Sequence, residues 1–220
     1  LRLGETAEGV LWAIYYNAGQ ICSAGSRLVV ERTIHSELVA KIVEKTSQLI
    51  AGHALTNPNY GAINSLQQLE KIEGFVERAK ARGITVACGG ERINTKETEN
   101  GWFYAPTIMD DVPNNDELVQ EEIFGPVAAV YQFSDQTQAV AMANDTEFGL
   151  AAYFYTENMR RSWQVSEALE YGMVGVNETA IGAEMIPFGG VKESGQGREG
   201  SKYGLDDYLE IKYVCHGNIS

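Results

Sequence analysis

Between Glu5 and Ala18 apolar residues return every third or fourth position, at Ala7, Val10, Leu11, Ile14 and Ala18, which is the spacing of one helix face. The same period recurs from Ser36 to Ile50 through Leu38, Ile42, Val43 and Leu49. It recurs again from Ser65 to Arg82 through Leu66, Leu69, Ile72, Val76 and Ala79, with Ser65 able to cap the start and Gly83 the end. Short β-branched or aromatic blocks lie between and after these helices: Arg27 to Glu31, Ile84 to Cys88, Phe103 to Met109 and Val127 to Phe133 are predicted strands. Further on, Asp135 caps a predicted helix reaching Asn144, and Leu150 to Tyr155 is a strand. Glu157 to Tyr171 is a helix ended by Gly172, and Met173 to Asn177 is a strand again. Strands and helices alternating at this length predict an α/β fold with a largely parallel sheet flanked by helices. Tyr208 to Val214 (YLEIKYV) is a late predicted strand remote from that alternation, and the polar stretch Thr95 to Asn100 is a predicted surface loop.

Composition narrows the function classes. At 220 residues and 44% hydrophobic the chain is long and apolar enough for one large core. It has no apolar run near the ~20 residues that span a bilayer, and it opens on polar Leu-Arg-Leu-Gly-Glu-Thr rather than a signal peptide. A net charge of −13 repels nucleic-acid phosphates and anionic lipid, so neither nucleic acid nor membrane is an expected partner. Cys22, Cys88 and Cys215 are too few and too scattered for a disulfide framework, which points to a reducing, cytoplasmic setting. With His35, His53 and His216 equally dispersed, no metal site is expected.

Three segments can carry chemistry. Asn17-Ala18-Gly19-Gln20-Ile21-Cys22-Ser23-Ala24-Gly25-Ser26-Arg27 places a cysteine among small residues between a helix and a strand. Small neighbours leave a thiol accessible, and nearby N–H groups can stabilise a thiolate or an oxyanion. A lone cysteine is more commonly a buried structural residue. Glu121-Glu122-Ile123-Phe124-Gly125-Pro126-Val127 sets carboxylates and an aromatic before a turn into a strand, suited to ribose hydroxyls and a flat ring; a solvated acidic pair is the plainer reading. Pro187 to Gly200 contains a literal GxGxxG at Gly195, Gly197 and Gly200. No strand is predicted before it and too little chain follows for a βαβ unit, so the dinucleotide fingerprint is rejected and the glycines are assigned to a loop beside a pocket.

In this order, NAGQICSAGSR, EEIFGPV and PFGGVKESGQGREG followed by YGLDDYLEIKYV resemble the aldehyde dehydrogenase superfamily, from about Glu5 to Tyr213. The resemblance implies that Cys22 is the nucleophile of an NAD- or NADP-dependent enzyme. It would attack a small-molecule aldehyde and pass through a thiohemiacetal and a thioester, with its own N–H as half of an oxyanion hole. It implies cofactor contacts at Glu122, Phe124, Gln68 and Lys71, and a proton relay at Glu199. It implies substrate contacts at Tyr16, Ile21, Ser23 and Phe188. Residues 1–205 would be the catalytic domain, and residues 206–216 a bridging strand that joins a neighbouring subunit in a homo-oligomer, a dimer or a dimer of dimers.

The family's base glutamate, in a Glu-Leu-Gly-Gly-type motif, and its Rossmann-like cofactor domain have no counterpart in these residues, and position 1 is not Met. The chain is therefore expected to be the catalytic portion of a longer enzyme, inactive alone. The C-terminal segments are similar to those of succinate-semialdehyde dehydrogenases, but Tyr16 stands six residues before Cys22, where that branch carries an arginine, and Ala183 stands for a serine. Without that bidentate clamp, succinate semialdehyde is one candidate among small aliphatic aldehydes. A non-catalytic oligomerising domain and, less favoured, a coenzyme A-dependent acyl-transfer enzyme are the rival readings.

Overall fold

The computed structural model describes residues 2–218. Helix α1 (Leu3–Tyr15) buries Thr6, Ala7, Val10, Ile14 and Tyr15, the face set by the apolar period. It stops at Tyr15 rather than Ala18 because Asn17 and Ala18 take left-handed backbone, φ 51° and 55°, and Gly19 follows at 71°. Residues with a β-carbon sustain no helix of that hand, so a loop carries the cysteine into β1 (Arg27–Glu31). α2 (His35–Thr46) buries Leu38, Val39 and Ile42. α3 (Leu66–Ala81) opens with the Ser65 side chain accepting a hydrogen bond from the Gln68 N–H, as predicted.

β2 (Thr85–Cys88), β3 (Thr107–Asp110), the single-turn helix α4 (Glu117–Gln120) and β4 (Val127–Phe133) follow. Then come α5 (Gln136–Asn144), capped by Asp135, β5 (Phe148–Gly149) and β6 (Ala151–Phe154). α6 (Met159–Ala168), capped by Asn158, β7 (Met173–Val176) and β8 (Val191–Lys192) complete the order.

The main sheet has the order β1-β4-β3-β2. β1 and β3 run parallel to β4, and only β2 is antiparallel. β6 and β7 form a separate parallel pair, and β5 with β8 a short antiparallel one. Alternation along β4 divides the core, because successive residues of a strand face opposite layers. Val127, Ala129 and Tyr131 pack with Leu69, Ile72 and Val76 of α3, while Ala128 and Val130 pack with Val10, Ile14, Leu38 and Ile42 of α1 and α2.

Two predicted strands are revised. Phe103 to Ala105 lie outside β3: Pro106 has no N–H to give a ladder, and Tyr104 makes only an isolated bridge with Arg92. Tyr208 to Val214 is not a strand within this chain. Tyr203–Tyr208 is a 3₁₀ turn, and no residue from 209 to 218 joins a ladder. A strand needs a hydrogen-bonding neighbour, and among the described residues this segment has none: Tyr208 and Tyr213 are 86% exposed and Ile211 fully so. Cys215, which follows that segment, is exposed for the same reason. Among the described residues no helix is long and apolar enough to cross a membrane.

Candidate active site

Cys22 is a free, exposed thiol in the loop between α1 and β1. The loop is fixed on each side of it. Upstream, Asn17 and Gln20 exchange backbone and side-chain hydrogen bonds, and the Gln20 side chain reaches out to accept from the Asn64 N–H at 2.9 Å and donate to Ala62 O at 3.3 Å. Downstream, Gly25 N–H donates to Ala13 O at 2.9 Å, and the Tyr153 hydroxyl donates to Ser23 O at 2.9 Å. Burial pushes the Tyr153 phenol up, and the nearby Cys22 adds to the rise. Among the described residues the Cys22 N–H has no acceptor, which leaves it available to an oxyanion.

Gly19 joins this loop to the second predicted segment. A Cβ there would lie 2.1 Å from Gly125 O, so only glycine lets the two backbones meet. α3 holds that segment from its other side. Gln68 Nε2 donates to Ile123 O and Phe124 O, both at 3.0 Å, and Lys71 Nζ donates to Glu122 O at 2.9 Å. Gly125 packs on Ile72, one position further along the same helix face. Phe124 sits at φ 56°, an unusual conformation for an aromatic residue. The Glu122 carboxylate is exposed and makes no hydrogen bond or ion pair among the described residues. Gln68 and Lys71 thus reach the Glu122–Phe124 backbone, a link for which their sequence spacing carried no signal.

The third segment brings Phe188 and Glu199 face to face through two backbone hydrogen bonds, of 2.9 and 2.7 Å. Arg198 donates to the Gly190 and Gly197 carbonyls, and Gly195, Gly197 and Gly200 all have positive φ. Only a 3₁₀ turn follows, so the rejection of the phosphate-binding fingerprint holds. The Glu199 side chain is exposed, and among the described residues no hydrogen bond or ion pair joins this segment to the Cys22 loop. Tyr16 is half exposed and stacks on Trp12 one helical turn back, ring centroids 4.9 Å apart, while Ile21 and Ser23 flank the thiol, half-buried. Sequence reasoning missed Gln20 as the tether to residues 62–64 and Tyr153 as the prop under Ser23. Gln20 lies inside the first segment, but its partners at residues 62 and 64 are far away in sequence, and Tyr153 lies in none of the three segments.

Residues 2–214 match the aldehyde dehydrogenase family model. The chain belongs to the aldehyde dehydrogenase family. This aldehyde dehydrogenase chain is 44% identical to succinate-semialdehyde dehydrogenase [NADP(+)] GabD of Escherichia coli over 216 residues, covering 98% of this chain and 44% of that protein. It is 43% identical to the mitochondrial succinate-semialdehyde dehydrogenase of Oryza sativa over 214 residues, 97% of this chain and 40% of that one. Among solved structures it superposes with a TM-score of 0.92 on betaine aldehyde dehydrogenase from Staphylococcus aureus in complex with NAD+, at 32% identity, over 95% of this chain and 42% of the other. The chain therefore spans less than half the length of these relatives.

Proposed function

We propose that these residues carry the nucleophile for oxidation of an aldehyde to a carboxylic acid with NAD or NADP, and that Cys22 is that nucleophile. The observation that carries the reading is the exposed Cys22 thiol in a loop braced at both ends and locked by Gly19 against the Glu121–Gly125 segment. The thiolate attacks the aldehyde carbon, a C–S bond forms, and the carbonyl electron pair moves to oxygen, where the Cys22 N–H is positioned to donate. Protonation of that oxygen gives a thiohemiacetal. Nicotinamide, when bound beside Glu122 and Phe124, would supply the hydride acceptor for the carbon held on the Cys22 sulfur, and water would release that carbon as the acid.

The residues present fit one half of such a cofactor. Glu122 offers an unpaired, acceptor-only carboxylate suited to ribose hydroxyls, and Phe124 a half-buried ring suited to a flat base. Gln68 and Lys71 fix the backbone that presents both. No phosphate cradle exists among the described residues, since the glycine-rich segment opens no helix. The substrate class is a small aliphatic aldehyde, with succinate semialdehyde among the candidates because of the relatives named above. Residues 1–205 are read as the catalytic domain and residues 206–216 as the bridging strand of a homo-oligomer.

Alkylation of the 220-residue chain with limiting iodoacetamide, mapped by mass spectrometry, tests the first step. Propanal or succinate semialdehyde is expected to slow labelling of Cys22 but not of Cys215, with no NAD(P)H formed by the chain alone. Equal labelling of both thiols with and without aldehyde would favour the non-catalytic oligomerising domain. Robust NAD(P)H formation would refute the expected inactivity.

A further inference from the structure

The loop that leaves β7 carries a carboxylate held in place by its own backbone. Asn177, at φ 56°, turns the chain, and its side chain accepts from the Thr156 N–H and donates to Thr156 O, both at 2.8 Å. Glu178 follows, and its Oε1 accepts from the Thr179 and Ala180 N–H groups, both at 2.8 Å. The Ala180 N–H, then that of Thr179, holds the carboxyl below its ordinary value of 4.5, so the exposed side chain is charged at neutral pH. Among the described residues Oε2 has no partner and no cation pairs with Glu178.

Three contacts set this carboxylate on the Cys22 side of the molecule. The Glu178 carbonyl and the Tyr153 ring meet over Gly175, where there is no room for a Cβ, and the Tyr153 hydroxyl donates to Ser23 O. Thr179 lines the same cavity as Cys22, about 790 Å³ in volume. Tyr155, whose phenol is pushed up by burial and further by the Glu178 charge, rests its hydroxyl on Gly9 of α1. Trp12 and Tyr16 lie one and two turns beyond Gly9 on that helix face, stacked and more than half exposed.

We propose that Glu178 is a specificity-determining residue of this site: it turns away aldehydes whose far end is a carboxylate and favours those whose far end is an ammonium group, with Trp12 and Tyr16 as an aromatic wall. A fixed carboxylate repels an anion and attracts a cation. Ring faces carry the negative part of their quadrupole, so they add to the same preference. Arg27, which lines the cavity too, is committed to Ala143 O and the Tyr171 hydroxyl, both at 2.7 Å, and is not free to hold an anion. The proposal rests on the reading of Cys22 as the nucleophile, and it narrows the substrate class from small aliphatic aldehydes to those ending in a primary or quaternary ammonium.

Protection of Cys22 from limiting iodoacetamide tests it, using butanal, succinate semialdehyde and 4-(trimethylammonio)butanal, which share a chain length and differ in charge. The readout on the 220-residue chain is the aldehyde concentration that halves Cys22 labelling, with Cys215 as the internal reference. In dilute buffer the trimethylammonio aldehyde is expected to act at about fivefold lower concentration than succinate semialdehyde, with butanal between them. The gap is expected to close in about 1 M salt. Glu178→Gln is expected to bring the three within about twofold of one another. Glu97→Gln, which removes the same charge from the exposed loop after β2, is expected to keep the gap. If Glu178→Gln unfolds, Trp12→Leu serves in its place and is expected to lower the preference for the ammonium aldehyde over butanal by about twofold. Equal protection by the two charged aldehydes, or a gap that Glu97→Gln removes as fully as Glu178→Gln, would overturn the proposal and leave Cys22 as the nucleophile. So would stronger protection by succinate semialdehyde, which would point to Arg161 in the same cavity. Protection by none of the three would overturn the nucleophile reading and the proposal together.

Discussion

Gly19 shows how much of the site one residue decides. Its φ of 71° already penalises any side chain, and its Cβ position falls within 2.1 Å of a backbone oxygen that cannot move aside. Gly19→Ala is expected to cost about 1–3 kcal/mol, measured by urea denaturation as a lower midpoint at unchanged slope. Gly61→Ala, where nothing lies within 4 Å, is expected to change stability by less than about 0.5 kcal/mol. The cysteines separate by environment in the same way. Burial pushes the half-buried Cys88 thiol up, so its thiolate forms later as pH rises. Its alkylation should be the slowest of the three and should keep climbing above about pH 8.5, the ordinary thiol value. Rate against pH for the Cys88 peptide checks this, and a plateau already reached at about pH 8.5 would contradict it. At this scale the segments holding Cys22 and Glu122 were legible as loops leading into strands, because each runs through small or polar residues into an apolar block. The reach of Gln68 and Lys71 to the carbonyls of residues 122–124 was not, because a hydrogen bond across more than fifty residues leaves no local pattern.

Among elements, the periodic helices and the long apolar strand were readable: β4 matches its predicted limits and α3 its predicted cap. α4 was not, since one turn has no period to detect. It exists because Asp116 caps it, accepting from the Leu118 N–H at 2.9 Å, and because Arg82 holds both Asp116 oxygens at 2.8 Å. Arg78 and Arg82 also hold Glu117, which places the start of the Glu121–Gly125 segment relative to α3. The Arg78 guanidinium, joined by that of Arg82, keeps the Glu117 carboxyl below its ordinary value of 4.5. A lowered carboxyl contributes stability in full above that value and loses it as pH falls through the folded-state value. Glu117→Gln should therefore cost about 0.5–1 kcal/mol near neutral pH, a deficit that narrows in acid, read from urea midpoints at pH 7 and pH 3. Asp116→Ala removes a cap and a nearly buried partner together and should cost more, about 2 kcal/mol. Equal effects of the two variants would show that the cap adds nothing.

At the scale of the whole molecule, the alternation of elements was enough to predict an α/β fold with a largely parallel sheet, and the burial of β3 and β4 on both faces is written in their own apolar runs. Which strands pair is not written there, and the break between β1 and β6 appears only once the chain is folded. The C-terminal segment is the converse case. Its β-branched and aromatic residues read as a strand, yet among the described residues it has nothing to pair with, so Leu209, Ile211 and Tyr213 stand in solvent. Exposed apolar side chains on an unpaired segment mark a surface that another chain can cover. The 220-residue chain is expected to self-associate at micromolar concentration, and a chain ended after Asp207 to be monomeric by light scattering. Asp207 is the sensible end point because it packs against Gly197, whereas residues 208–218 are exposed. Loss of the tail should therefore leave the monomer's unfolding midpoint in place once both chains are compared at a concentration where neither associates. An unchanged mass after truncation would place the association on another surface, the open edges of β1 and β6 being the first to examine.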